Sequence, residues 1–320
     1  MLRSRPMRAT PTESATSMTP VPPGRADAYP HAADLALIPF VMEVDRGGAH
    51  FVLTPDLARH DGALYGGTGA AAAVMQMEAA TQRAAVWVAT QFVAQARVGD
   101  RIDLAAHTLA AGKRIAQVHV VATVDDRIIF TALGATALPR PNGLTGQYDE
   151  MPRVTAPEHS VPLHRGTALS ELAERGFNRN LEFREATFET PRPRAMALWA
   201  RLTGPGRAMT AAGVAFAADM VPGAIARAAG KLGGGFSLDN ALRFAAVPAT
   251  EWVLLDLRGD VASHGYGHGS FTAWSRDGTL LATGSQTASM THVFDGADDP
   301  QMEEWRRSIA RAAAEGGTRD

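Results

Sequence analysis

A chain of 320 residues with a formal net charge of −2 and no cysteine has no strong field to gather nucleic acid, and it has no disulfide, thiolate nucleophile or cysteine-bound metal. Its hydrophobic share of 46% and charged share of 20% are those of a packed globular protein, long enough for two domains. There is no unbroken run of 18 apolar residues, so neither a spanning helix nor a membrane partner is expected, and the lack of cysteine suits a cytoplasmic protein.

Residues 1–30 carry Arg3, Arg5 and Arg8 followed by Ser, Thr and Pro, without an apolar stretch. They read as a disordered leader, with Met7 and Met18 as candidate starts. A first unit spans 31–140. It opens with two short strands within 40–53, around the turn Asp45-Arg46-Gly47-Gly48. Tyr65-Gly66-Gly67-Thr68 then leads into an Ala-rich segment running to about residue 89, whose Ala, Met, Gln and Glu favour helix. The paired glycines suit a close approach of backbone to a ligand or to another chain segment. The period then turns strand-like, giving strands over 91–95, 101–109, 114–124 and 127–136. Residues 141–178, rich in proline at their start, read as a linker, with a short helix over 168–174.

The second unit, 179–296, repeats the plan. Strands are predicted over 183–187 and 196–202, a helix over 217–230, and strands over 237–244, 251–258, 265–275 and 279–289. Adding 151 to Arg101 gives Trp252, and adding 151 to Asp126 gives Asp277, each at the matching point of the pattern. Beyond the extra Gly278 the offset becomes 152, which also carries Gly67 to Asp219 at the two helix starts. This is an internal duplication of an α+β unit, each half a long helix wrapped by an antiparallel sheet. Residues 297–320 read as an amphipathic surface helix and tail, with no chemistry assigned.

That architecture resembles the double hotdog fold. The second half is similar, residue by residue, to the TesB-like acyl-CoA thioesterases (acyl-CoA thioesterase II). The segment Phe236-Ser237-Leu238-Asp239-Asn240-Ala241-Leu242-Arg243-Phe244 resembles that family's (S/T)-[LI]-D-H-x-x-x-F strand. Glu251-Trp252-Val253-Leu254-Leu255 resembles its D/E-W-L-L strand. Asp277-Gly278-Thr279-Leu280-Leu281-Ala282, followed by Gln286, resembles D-G-x-L-V-A-S-x-x-Q, and Tyr65-Gly66-Gly67 resembles its F-G-G helix start. The resemblance implies direct attack of water on an acyl-CoA or other acyl thioester, without an acyl-enzyme. The water is expected to be held by Asp219, Ser237 and Gln286. Asn240 replaces the family's His, and Tyr266 replaces the Arg of S-x-x-R-G, departures that bear on substrate identity.

The chemistry suits these residue types. An Asp accepts the proton of the water, and a Gln offers both a carbonyl and an amide to orient it. A Ser adds one hydrogen bond, and backbone N–H groups at a helix start stabilise the oxyanion. No cofactor or metal is expected, because the thioester is already activated. Gly66, Gly67, Asp239, His264 and Tyr266 complete the expected substrate-binding set, Asp239 because strict alternation puts it on the face of Ser237. The first-unit counterparts, near Gly67, Val86 and Gly134, carry no polar side chain, so one lobe is equipped and the other emptied.

Plainer roles stand beside these. Asp219 alone fits an N-cap of the second helix, and Asp239 a structural carboxylate near Arg243. Glu78 fits a solvated helix face, and Lys113 and Arg114 an ordinary charged turn, with coenzyme A phosphates as the sharper reading. His264 and His268, about 13 Å apart on one strand, are too distant to share an ion. Two other functions compete. A hotdog hydratase or dehydratase needs a His beside the helix, and neither helix region has one; a non-catalytic acyl-thioester binder needs no base. Assembly as a homo-oligomer is expected by analogy with other hotdog proteins.

Overall fold

A computed structural model describes residues 43–44, 48–163, 169–170, 172, 175–204 and 207–316. The expected leader over 1–30 lies outside the described residues, as does most of the short helix expected over 168–174. Among the described residues, thirteen strands form one antiparallel sheet: β1 (Glu43–Val44), β2 (Gly48–Val52), β3 (Ala84–Phe92), β4 (Arg101–Ala111), β5 (Ile115–Val124), β6 (Arg127–Ala137), β7 (Val161–Pro162), β8 (Leu181–Ala186), β9 (Ala195–Leu202), β10 (Leu232–Phe244), β11 (Val253–Ser263), β12 (Tyr266–Ser275) and β13 (Leu280–Phe294). Their order is β1-β2-β4-β5-β6-β3-β10-β13-β12-β11-β9-β8-β7. Four α-helices among the described residues pack on it: α1 (Gly66–Thr81), α2 (Ala211–Ala217), α3 (Val221–Ala228) and α4 (Pro300–Gly316). This is the double hotdog, with α1 and α3 as the central helices.

The lobes join through β3 and β10. Asn240 pairs with Thr90, and Leu242 with Val88. An offset of 152 carries Val88 to Asn240 and Thr90 to Leu242, so the junction maps onto itself under the duplication. Both strands bulge at the same place, between Ala85 and Trp87 and between Ser237 and Asp239. The counterpart of Ser237 is therefore Ala85, one residue before the expected Val86. Gly134 faces Val88 as Gln286 faces Asn240, which keeps Gly134 as the counterpart of Gln286.

Two helix expectations are corrected. α1 ends at Thr81, eight residues before the expected 89, because Gln82 takes a left-handed conformation (φ 54°) and its N–H bonds back to the Glu78 carbonyl. Beyond it, Val86, Trp87, Val88 and Thr90 favour strand, so β3 covers residues first read as helix. The expected helix over 217–230 is instead a helix over Ala211–Ala228 that breaks at 218–220. Pro222 has no N–H for the Ala218 carbonyl and instead sits in the first turn of α3, where a missing N–H is tolerated. The Ala211–Ala228 stretch is long and apolar enough to cross a bilayer by length and composition. It is 72% buried inside the fold, however, as a core helix is. The strand expected over 237–244 begins earlier, at Leu232, and takes in the glycines at 233–235.

One core runs through both lobes, from Val74, Met75 and Phe130 to Phe216, Leu242 and Leu255. α1 has buried residues all round its axis because the sheet takes one side and α2 the other.

Candidate active site

The break between α2 and α3 turns Asp219 inward, where 7% of it remains exposed. Its Oδ1 accepts from Ser237 Oγ at 2.9 Å, from Gln286 Nε2, and more weakly from Asn240 Nδ2 at 3.5 Å. Its Oδ2 accepts the backbone N–H of Gly67 at 2.9 Å. Gln286 Nε2 also donates to Ser237 Oγ at 2.6 Å, so the amide and hydroxyl form a small triangle on the carboxylate. The three residues named from sequence thus meet at one point, drawn from the helix break, β10 and β13. The plainer reading of Asp219 as a cap takes a different form: Met220 occupies the N-cap of α3, and Asp219 caps the start of α1 in the other lobe.

The bulge at Leu238 decides which neighbour joins them. Without it, alternation would put Asp239 beside Ser237; with it, Asn240 takes that face. Asn240 is fully buried beside Asp219, while Asp239 turns away and accepts the Thr287 N–H at 2.7 Å. Asp239 is therefore removed from the site. Asn240, singled out from sequence only as a departure from a family pattern, is added to it.

Burial raises the Asp219 carboxyl to about 6, against the lowering pull of Ser237, Gln286, the Gly67 N–H and Arg59. Burial pushes the Tyr65 phenol, held between Phe177 and Phe216, well up, and Asp219 adds to this. Arg59 lies over the Phe236 ring at 4.0 Å and pairs with Asp61. Nothing in the sequence marked Arg59, an isolated cation in an irregular segment.

Asp219 and Ser237 open on a cavity of about 640 Å³. Gly66, Phe92, Phe236 and Arg59 line it near the carboxylate, and Leu172, Phe177, Trp305 and Ile309 line it elsewhere. Gly66 fits the expectation of a glycine at the cavity wall: a Cβ there would lie 2.5 Å from Asp219 Oδ2. Gly67 departs from it, since its N–H is taken by Asp219 and a Cβ would strike the Phe216 carbonyl at 2.2 Å. Its role is to hold the carboxylate. His264 lies in the turn between β11 and β12, where it takes φ 54° and Gly265 φ 83°, and Tyr266 opens β12 beside it. Neither lines the cavity, and Tyr266 is 51% exposed. That turn also ends the strand on which His264 and His268 were placed together.

The emptied lobe is filled as well as stripped. A Cβ at Gly134 would lie 2.6 Å from Met77 Sδ and 2.5 Å from the Trp87 carbonyl, so no Gln fits there. Glu78, first read as a solvated side chain, turns back to accept the Ala85 N–H at 2.9 Å, and burial raises it to about 7. Arg114 is exposed and donates to the Pro139 carbonyl at 2.6 Å, away from the cavity. Among the described residues no group of three His, Asp or Glu stands ready to hold a metal ion.

Two family models match the chain. One, described as the acyl-CoA thioesterase N-terminal domain, covers residues 54–138; the other, described as the acyl-CoA thioesterase C-terminal domain, covers 149–290. The chain belongs to the acyl-CoA thioesterase family. It is accordingly a thioester hydrolase. Solved structures agree with this thioesterase in fold. One from Novosphingobium aromaticivorans, provisionally described as a thioesterase, matches at 28% identity and a TM-score of 0.71, over 80% of this chain and 100% of its own. A hot dog protein from Alicyclobacillus acidocaldarius matches at 20% and 0.68, over 82% and 99%. A tesB protein from Mycobacterium avium subspecies paratuberculosis matches at 22% and 0.64, over 81% and 98%. No curated protein matches the thioesterase in sequence.

Proposed function

We propose that the enzyme hydrolyses an acyl-CoA by direct attack of a water that Asp219 deprotonates, with Ser237, Gln286 and Asn240 holding the base. The observation that carries this is the hydrogen-bonding of Asp219. Oδ1 is saturated by side-chain donors, whereas Oδ2 accepts the Gly67 N–H and keeps a lone pair for the water. A carboxyl raised to about 6 is ionised at neutral pH, and it is a stronger base than an ordinary Asp.

As Oδ2 takes one proton, the water oxygen adds to the thioester carbon and the carbonyl becomes an oxyanion. The start of α1 at Gly66 borders the cavity with its positive dipole end, a suitable partner for that charge. Collapse expels the thiolate, which recovers the proton from Asp219 and leaves as a thiol, with the carboxylic acid as the second product. Ser237 donates to Oδ1 and accepts from Gln286, which fixes the plane of the carboxylate. Ser237 and Gln286 thus orient the base.

We further propose that the enzyme acts in the cytoplasm as a homo-oligomer within fatty-acid metabolism. Light scattering and fractionation test the first two. The chemistry is tested by Asp219→Asn on a panel of acyl-CoA substrates. Turnover is expected to fall by about 10³-fold. Full turnover by that variant would remove Asp219 from the mechanism.

A further inference from the structure

We propose that α4, which lies beyond both family-matched segments, is a specificity element whose Trp305 and Ile309 form the wall that limits the acyl chain. This rests on the hydrolase reading above. The C-terminal family match ends at residue 290, and α4 begins at Pro300. The helix was expected to lie on the surface without a role. Instead it starts on Asp299, whose carboxylate accepts the N–H groups of Gln301 and Asp295, each at 2.9 Å.

Its inward residues recur at helical spacing. Met302 is fully buried, Trp305 partly, and Ile309 is 2% exposed. Met302 and Ile309 form a small separate core with Leu169, Leu172 and Phe294, against which Trp305 packs. This core is distinct from the one that holds the two lobes together, so α4 is fastened by its own contacts.

Trp305 and Ile309 also line the cavity that contains Asp219. A series of rings connects them to the reacting centre. Phe236, the neighbour of Ser237, meets His292 at 5.1 Å between centroids, and His292 meets Trp305 at 5.9 Å. Trp305 thus stands within two ring contacts of the strand that carries Ser237. The wall offered by Trp305, Ile309, Leu169 and Leu172 is apolar. An alkyl or aryl chain gains there by leaving water. The amides and phosphates of the coenzyme arm would lose hydrogen bonds there, and the cavity has charged lining of another kind in Glu185, Arg227 and Lys231.

The test is a chain-length profile of kcat/KM for the full-length enzyme, with Trp305→Ala to enlarge the space and Ile309→Trp to reduce it. Kd values for non-hydrolysable thioether analogues of the same lengths are measured in parallel. Trp305→Ala is expected to favour longer chains over shorter ones by about tenfold or more, and Ile309→Trp to do the reverse. Two results overturn the proposal: length profiles unmoved in both variants, or a uniform change in KM and Kd at every length, which would set α4 against the coenzyme arm. The analogue Kd values separate this from a failure of the hydrolase reading. If turnover is absent but the binding profile moves with residue 305, the wall stands and the chemistry does not.

Discussion

Gly67 of the N-terminal lobe donates its backbone N–H to Oδ2 of Asp219 in the C-terminal lobe, at 2.9 Å. The lobe that has lost its own polar residues therefore still contributes to the site. The approach depends on the absence of a side chain at two positions. Gly66→Ala would place a Cβ 2.5 Å from Asp219 Oδ2 and 3.1 Å from the Phe92 ring. Alanine otherwise favours a helix, so the expected result is an activity defect larger than the stability defect. kcat/KM should fall by about 10²-fold as the carboxylate is displaced. Wild-type activity in Gly66→Ala would show that Asp219 has room to move without consequence. Gly67→Ala, 2.2 Å from the Phe216 carbonyl, should instead lower the unfolding free energy by about 1–3 kcal/mol, read in a denaturant titration.

The raised carboxyl of Asp219 gives opposite signs for activity and stability. Activity needs the ionised form, so kcat/KM should rise with pH through about 6 and level off above it. For stability, the folded group holds its proton more tightly than an unfolded Asp at 3.8. The associated stability is complete below 3.8 and is lost as pH rises through about 6, a cost of about 3 kcal/mol at neutral pH. Asp219→Asn removes that cost and opposes its amide to the Gly67 N–H, a loss that does not vary with pH. The difference in unfolding free energy between variant and wild type should therefore move in favour of the variant between pH 5 and pH 8. Denaturant titrations at the two pH values measure it, and a flat difference would mean that the carboxylate is well solvated.

Arg59 is the cation that acts on Asp219, and it is itself held by Asp61 and the Phe236 face. Arg97 and His292 are the other groups acting on or near it, and Tyr65 is the acid whose phenol Asp219 pushes up. Arg59→Gln should shift the acidic limb of the kcat/KM profile to higher pH, so that activity falls more at pH 6 than at pH 8. Arg59→Lys should restore the limb. Equal losses at both pH values would assign Arg59 to packing against Phe236 alone.

The architecture was legible because it is periodic and repeated. The alternating Val118 and Val120 of β5, the turn at Asp277-Gly278 and the 152-residue offset all follow local rules. The three side chains around Asp219 were legible through a family resemblance, since no spacing rule links 219, 237 and 286. What the sequence hid were events in which one residue changes the direction of many. Leu238 inserts a bulge that exchanges Asp239 for Asn240, and its lobe-1 counterpart Val86 moves the alignment by one. Pro222 breaks a helix where composition alone reads continuity. The contribution of α4 was hidden because an amphipathic helix shows that it has an apolar face but not what that face covers.

Glu78 offers a test of the emptied lobe that is independent of catalysis. Its Oε1 accepts the N–H of Ala85, the counterpart of Ser237, and burial raises its carboxyl to about 7 from 4.5. Its folded pKa lies above the unfolded one, so the protonated form contributes stability that is present in full below 4.5 and lost as pH rises through about 7. Glu78→Gln keeps an acceptor for Ala85 and carries no charge. The substitution should leave stability nearly unchanged at pH 5 and raise it at pH 8, by about 2 kcal/mol once partial exposure is allowed for. Activity should stay at the wild-type level at both pH values, because the group lies in the lobe whose Gly67, Ala85 and Gly134 carry no polar side chain. Thermal unfolding at the two pH values, read beside turnover, checks both halves of this expectation. A loss of activity in Glu78→Gln would return the N-terminal lobe to the chemistry.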